Sequence, residues 1–274
     1  MYEKDDVIKA NIDLHTAMAG KYKEEPHHRP ENVARIREII KAIRDRTGGE
    51  RLLDVGCGMG FIIDIAKDYF KVIRGVDVTP AMIEKVDVRG AGCDIKVQIA
   101  GAENLPFEDG SFDVCVAHAL LHHLHDVRPV MKEIHRVLRS GGVFYSDLDP
   151  NNYFWEAMKA LQPNKPYSDV VAREVGAVLY KDEEIAQEFD IDKDVMRTAE
   201  HLKHVEGGFS EERLVEGLKS AGFSDCAVRY EWYLGEGRYI HTDKEAANAV
   251  RSYLREIMPL SRHLFKYISI IAEK

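Results

Sequence analysis

Three glycines spaced by two, Gly56, Gly58 and Gly60, stand where chemistry is most readily built. They follow the apolar stretch Leu52-Leu53-Asp54-Val55 and run directly into Phe61-Ile62-Ile63-Asp64-Ile65-Ala66. Such a turn uses glycine because the backbone takes φ values closed to a residue with a Cβ, and because a ligand must come close to the main chain. Strand, glycine turn and helix N-terminus together make a nucleotide-binding edge. Asp54 lies just before the turn, where a carboxylate suits a cationic amino acid and repels a pyrophosphate. Asp77 lies 21 residues beyond Gly56, at the end of the next apolar stretch. A carboxylate there accepts hydrogen bonds from both hydroxyls of an adenosine ribose, which fits NAD, FAD or S-adenosylmethionine and disfavours NADP. Dinucleotide sites favour Gly-x-Gly-x-x-Gly, and this chain has Gly-x-Gly-x-Gly instead.

Other reactive side chains carry weaker signals. His122, His123 and His125 invite a metal reading. Their spacing suits a short turn rather than a ligand set, and no carboxylate pair is evident beside them in sequence, so no metal is expected. Asp147-Leu148-Asp149-Pro150-Asn151 reads either as a magnesium site or as a plain loop. The loop is favoured, because proline and asparagine are turn formers. Cys57, inside the glycine turn, reads as a small filler rather than a nucleophile.

The surrounding elements follow from periodicity. Residues 3–18 form a weakly amphipathic helix. Residues 20–30 are polar, closed by Pro26 and Pro30, and read as a loop. Val33, Ile36, Ile40 and Ile43 recur at helical spacing until Gly48-Gly49 stops the helix. Strands are expected at 51–55, 71–77, 95–99, 112–118 and 143–146. Thr79 and Pro80 open a helix as N-cap and first residue. Another helix starts near Asp126, with Val130, Ile134, Val137 and Leu138 on one face, and ends at Ser140-Gly141-Gly142. Strand–helix alternation then stops from 150 to about 205, a charged helical stretch carrying Tyr153, Phe154, Trp155, Tyr167, Tyr180 and Phe189. It is too long for a connection and reads as an inserted cap. Helix 210–220, strand 226–234, helix 243–257 and strand 267–272 complete the chain.

The fold expected is α/β: a seven-stranded, mostly parallel Rossmann-like sheet with helices on both faces, an N-terminal helical arm and a helical cap insertion. Its divisions are 1–49 (arm and first core helix), 50–149 (cofactor-binding core), 150–205 (cap) and 206–274 (the rest of the sheet). The 274 residues, 45% hydrophobic and 31% charged, suffice for one elaborated domain. A net charge of −9 argues against nucleic acid as a partner. No apolar run reaches the roughly 18 residues of a membrane span. The acidic start Met1-Tyr2-Glu3-Lys4-Asp5-Asp6 does not fit a secretory signal. Cys57, Cys93, Cys115 and Cys226 are scattered, without a Cys-x-x-Cys pair, as free thiols of a reducing cytoplasm are.

Four stretches, in order, resemble the class I S-adenosylmethionine-dependent methyltransferases, in particular the small-molecule branch that includes the quinone-ring methylases. They are Leu53-Asp54-Val55-Gly56-Cys57-Gly58-Met59-Gly60, Gly75-Val76-Asp77-Val78-Thr79-Pro80-Ala81-Met82, Ala102-Glu103-Asn104-Leu105-Pro106-Phe107 through Asp113, and Leu121-His122-His123-Leu124 leading to Arg139-Ser140-Gly141-Gly142. The resemblance covers about residues 50–150 well and 206–274 loosely. It implies that Gly56 and Gly58 approach the methionine part of the cofactor, with Asp54 near its amino group. It implies that Asp77 holds the ribose, that Val78 and Met82 pack on the adenine, that Ala102 and Glu103 offer the adenine edge its partners, and that His118 borders the sulfonium. The chain departs from the family at Gly101, where an aspartate is common, and at Ser140, where a proline is.

The activity implied is methyl transfer from S-adenosylmethionine to a small organic acceptor, giving S-adenosylhomocysteine. The sulfonium already carries an activated methyl, so the protein mainly aligns the acceptor and excludes water. A general base is needed only if the acceptor must lose a proton, and His118 and His122 are the candidates. Tyr22, His27 and His28 are candidates to close over the site. The aromatic residues of the cap suggest an apolar or ring-bearing acceptor, or serve as the cap's own core. A macromolecular acceptor, a catalytically silent cofactor-binding protein and, more distantly, a nicotinamide oxidoreductase are the competing readings.

Overall fold

The computed structural model describes residues 2–22, 28–89, 92–161, 165–240 and 242–274. Part of the expected 20–30 loop, His27 included, lies outside the described residues. Helix α1 (Lys4–Met18) precedes α2 (Pro30–Thr47), which begins at a proline and ends at Gly48 in the left-handed conformation. Strand β1 (Arg51–Val55) and α3 (Phe61–Ala66) flank the glycine turn. Then come β2 (Val72–Asp77), α4 (Pro80–Ile83), β3 (Asp94–Ile99), β4 (Phe112–His118) and α5 (Val127–Val137). Strand β5 (Leu138–Pro150) leads into α6 (Asn152–Lys159), α7 (Asp169–Leu179), α8 (Lys181–Glu188), α9 (Lys193–Ala199) and α10 (His201–Val205). The chain closes with α11 (Glu211–Ala221), β6 (Asp225–Tyr233), α12 (Glu236–Tyr239), α13 (Lys244–Glu256) and β7 (Phe265–Glu273). Among the described residues, no helix is long and apolar enough to cross a membrane.

All seven strands form one sheet in the order β3-β2-β1-β4-β5-β7-β6. The first five run parallel, while β7 runs antiparallel to both β5 and β6. Central strands read as near-continuous apolar runs because helices cover both faces. Leu52, Leu53 and Val55 of β1, and Val114, Cys115, Val116 and Ala117 of β4, are fully buried. The chain moves outward from β1 through β2 to β3, then returns to place β4 on the other side of β1. The carboxyl ends of β1 and β4 therefore flank the point where strand order reverses, the edge at which α/β sheets bind ligands.

Three local expectations need correction. Helix α5 stops at Val137, and Leu138 already pairs with Phe112 in the sheet, so Ser140-Gly141-Gly142 lies within the strand region rather than ending the helix. Residues 147–150 belong to β5, bent by a register shift between Ser146 and Asp149, with Leu148 at φ 63°. Thr79 and Pro80 stand at the N-cap and first position of α4 as expected, though Thr79 makes no side-chain capping bond and the helix has only four residues. Leu138 is buried as a strand residue, not as part of a helical face.

Candidate functional site

The glycine turn is shaped by three constraints. Gly56, Gly58 and Gly60 all take positive φ, where a Cβ is strained. At Gly56 a Cβ would also meet Leu120 Cδ1 at 2.6 Å, so the leucine side chain would have to shift as well. At Gly58 the space beside the backbone is open, so the turn leaves room on that side. The Gly56 and Cys57 amides donate to the Val76 carbonyl, and the Gly58 amide donates to Asp77 Oδ2 at 2.9 Å. Asp77 Oδ1 accepts from the Thr79 amide at 2.8 Å. The acid at the end of β2 thus ties the turn to its own strand. Cys57 is buried and its thiol pKa is pushed up by burial, as expected of a filler.

Two adjoining hollows open along this edge. One is lined by Asp54, Gly56, Gly58, Phe61 and His118, with Tyr22 and His28 beside them. The other is lined by Gly56, Gly58, Asp77, Val78, Ala102, Glu103 and His118. The N-terminal helix roofs the second: Val7, Ile8, Asn11 and His15 face it, Lys4 pairs with Glu103 at 3.6 Å, and Asn11 Nδ2 donates to the His123 carbonyl at 2.9 Å. Met82 does not line either hollow. It is buried against Ala19 and Met59 and supports the turn from below.

Asp54 is the electrostatic anomaly of this edge. Only 1% of it is exposed, and neither carboxylate oxygen has a hydrogen-bond partner among the described residues. Burial, and then the neighbouring Asp77, push its pKa well above the usual carboxylate range. A buried ionisable group left unpaired is costly, and a cation delivered by a ligand removes that cost.

His118, at the end of β4, lies against Phe61 with ring centroids 4.8 Å apart. Burial, then the charges of Arg35 and His28, hold its pKa down to about 3. A ring held neutral in this way keeps a lone pair but is a weak base.

A third cavity continues from the second, sharing His15, Tyr22, Ala119 and His123 with it. Its walls come from the turn after β4 (His122, His123), from the end of β5 (Leu148, Pro150), from Lys266 and Tyr267 of β7, and from the helices after β5. Of the aromatic residues singled out in that helical stretch, Trp155 lines the cavity. The others in the described set do not. Phe154 is buried in a separate cluster, Phe189 packs on α1 and α9, Tyr153 stacks on Arg262, and Tyr180 is exposed.

His122 faces this cavity with Asp149 behind it. Its Nδ1 and Asp149 Oδ1 are 2.9 Å apart, and Asp149 Oδ2 accepts from Ser146 Oγ at 2.6 Å. Asp147, two residues earlier, is fully buried and bound to Arg35 at 2.5 Å and to the Tyr145 hydroxyl at 2.8 Å. Both carboxylates of the 147–151 stretch are therefore engaged by protein partners, against a magnesium site there. From the junction of α9 and α10, Glu200 approaches His122 Nε2 to 3.9 Å, with Lys203 3.1 Å behind it. Burial would raise the Glu200 pKa, but Lys203, His122 and His123 outweigh it and hold the carboxylate ionised. Glu200, Lys203, Lys266 and Tyr267 escaped the sequence reading because no local pattern ties them to the histidine turn.

The sheet order, the glycine turn and the acid after β2 make a Rossmann-like domain with a nucleotide-binding edge. Residues 53–146 match the family model described as a methyltransferase domain. Over 108 residues it is 38% identical to a sterol 4-C-methyltransferase of Caenorhabditis elegans, covering 37% of this chain and 32% of that protein. It is 32% identical over 117 residues to a 27-O-demethylrifamycin SV methyltransferase of Amycolatopsis mediterranei, covering 41% and 43%. It is 36% identical over 134 residues to a phthiotriol/phenolphthiotriol dimycocerosates methyltransferase of Mycobacterium tuberculosis, covering 44% and 47%. The matched stretch spans less than half the length of each of these curated relatives. In fold, the chain is similar to an S-adenosylmethionine-dependent methyltransferase from Mesorhizobium loti, with a TM-score of 0.54, 19% identity, and 86% of this chain and 96% of that one covered.

Proposed function

We propose that the protein transfers a methyl group from S-adenosylmethionine to a small organic acceptor held in the cavity beside His122, releasing S-adenosylhomocysteine. The observation that carries this reading is Asp54, a buried carboxylate without a partner at a glycine turn. A pyrophosphate would be repelled there, whereas the amino group of a methionine moiety is a cation of the required sign. When bound, the cofactor supplies a methyl already activated on a sulfonium.

The chain's own residues then bind and orient. Asp54 holds the amino group, and Gly56 and Gly58 let the methionine part approach the backbone. Asp77 receives the ribose hydroxyls on lone pairs that its two backbone contacts leave over. Val78, Ala102 and Glu103 border the adenine. Met82 acts only through packing beneath the turn. His118 walls off the reacting end as a neutral ring, and Phe61 keeps it in place. His122, oriented by Asp149, is the side chain that meets the acceptor. The cavity wall formed by Leu148, Pro150, Trp155 and Tyr267 supports an acceptor with an apolar part. The net charge of −9 supports a small molecule over nucleic acid. Four unpaired cysteines support a reducing, cytoplasmic setting.

Calorimetric titration with S-adenosylmethionine, S-adenosylhomocysteine and NAD, on the wild type and on Asp54→Asn, tests the cofactor. Binding of both adenosyl ligands, weakened at least about tenfold in the variant, is expected. Binding of NAD alone overturns the reading. Labelled methyl from S-adenosylmethionine should then appear in the small-molecule fraction of a cell extract. Label in the macromolecular fraction alone would shift the acceptor class, and no label in either would favour a silent binding protein.

A further inference from the structure

The chemistry that cofactor binding does not use lies where the histidine turn after β4 meets α1 and α10. His123 Nδ1 is 3.0 Å from the Ala199 carbonyl, and His15 Nδ1 is 2.9 Å from the Asn11 carbonyl. A carbonyl oxygen only accepts, so each of these rings carries its proton on Nδ1 and presents a lone pair on Nε2. His122 Nδ1 is held by the Asp149 carboxylate in the same sense. The rings cluster, with centroids 4.2 Å apart for His122 and His123, and 5.0 Å for His15 and His123. One donor atom from each of His122, His123 and Glu200 lies within 4.8 Å of the other two.

We propose that His122, His123 and Glu200 form a binding site for one divalent transition-metal ion, with zinc the preferred occupant and one coordination position open to the cavity. Two imidazoles and a carboxylate are a donor set of open zinc sites, in which a water or substrate takes the fourth place. Imidazole ligands select zinc and its neighbours over magnesium and calcium. The outer shell is already built. Asp149 and the Ala199 carbonyl fix the two rings, and Lys203, 3.1 Å from Glu200 and 2.7 Å from Asp182, fixes the carboxylate. Charge agrees in sign as well: the Asp149 and Glu200 carboxylates both stand against His122, with Lys203 in contact with Glu200 and Asp182.

The consequence for the substrate rests on the transferase reading. The site lines the cavity that adjoins the cofactor edge, so its open position faces an acceptor there. An acceptor bearing a hydroxyl, carboxylate or thiol would occupy it.

The test is calorimetric titration of chelator-treated full-length protein with zinc chloride and, separately, with magnesium chloride. One zinc ion per chain is expected, with micromolar or tighter affinity and no magnesium binding at the same concentrations. His123→Ala and Glu200→Gln should each weaken zinc at least about 100-fold, and Asp149→Asn about 10–100-fold. Absence of stoichiometric zinc binding in the wild type overturns the proposal. So does zinc binding that all three variants retain unchanged. Should a ligand variant fail to fold, the wild-type stoichiometry and the milder Asp149→Asn decide. Titration of the same samples with S-adenosylhomocysteine reads the cofactor edge separately. Its loss with zinc binding intact would fell the transferase reading and leave the ion site standing.

Discussion

The Gly58 amide donates to Asp77 Oδ2 at 2.9 Å, so the acid that closes β2 also holds the glycine turn that follows β1. One carboxylate thereby serves the fold and the ligand together. Asp77→Ala removes two backbone contacts and the proposed ribose contact at once. A charge-assisted hydrogen bond contributes about 1.5–3 kcal/mol, so affinity for S-adenosylhomocysteine should fall by at least about tenfold by calorimetry. Asp77→Asn keeps one accepting oxygen and should fall between the wild type and the alanine variant. Equal affinity in all three proteins would remove Asp77 from the site.

Gly58→Ala separates folding from binding at the same turn. Gly58 has φ 50°, and an added Cβ meets nothing within 4 Å. Left-handed backbone costs a residue with a Cβ about 1–2 kcal/mol, so the melting temperature should drop by only a few degrees. The methyl group stands where the ligand is to approach, and cofactor binding should be largely lost. Retention of full affinity would show that nothing approaches the chain on that side.

Arg35 tests how the far end of β5 is held. Its guanidinium lies 2.5 Å from the fully buried Asp147 and 3.8 Å from Glu231, and it sits over the Trp232 ring. Burial works against its charge, but Asp147 first, with Tyr145 and Glu231, raises its pKa far enough that it stays protonated. Arg35→Met strands Asp147, and breaking a buried pair from one side costs about 3–5 kcal/mol. Thermal denaturation should show a loss on the order of 10 °C. The double variant Arg35→Met, Asp147→Leu should recover part of it, because no unpaired charge is left behind.

What could be read from the residues alone follows the range of the interactions. The β1–glycine turn–α3 unit and Asp77 are set by spacing and local backbone demands, and the structure has them at the expected positions. The parallel sheet follows from strand–helix alternation. The end of α5 was not legible, because the glycines that resemble a helix stop lie on a strand whose register is set by β4. The environment of His122 was not legible either. Asp149 reaches it through a bulge in β5, and Glu200 through the docking of the α9–α10 junction, and neither contact leaves a periodic trace. The cap aromatics left two roles open for a related reason: composition does not say which face of a helix a ring occupies, and only Trp155 of the set reaches the cavity among the described residues.

Asp54 supplies the pH dependence. Its pKa in the folded, ligand-free protein is raised, by burial first and then by Asp77. The folded state therefore holds a proton that the unfolded chain has released, and stability falls as pH rises from about 3.9, the unfolded value, through the raised folded value. Asp54→Asn removes this titration. Without ligand, the variant should melt a few degrees above the wild type at neutral pH and show a flatter stability profile above about pH 3.9. Its affinity for S-adenosylhomocysteine should drop at the same time, because the amide offers no charge to the amino group. The wild type should gain more from saturating ligand than the variant does, reversing their order of stability. A variant that melts lower than the wild type without ligand would mean that Asp54 is ionised and partnered in the free protein. The electrostatic case for a cationic ligand at the glycine turn would then fail.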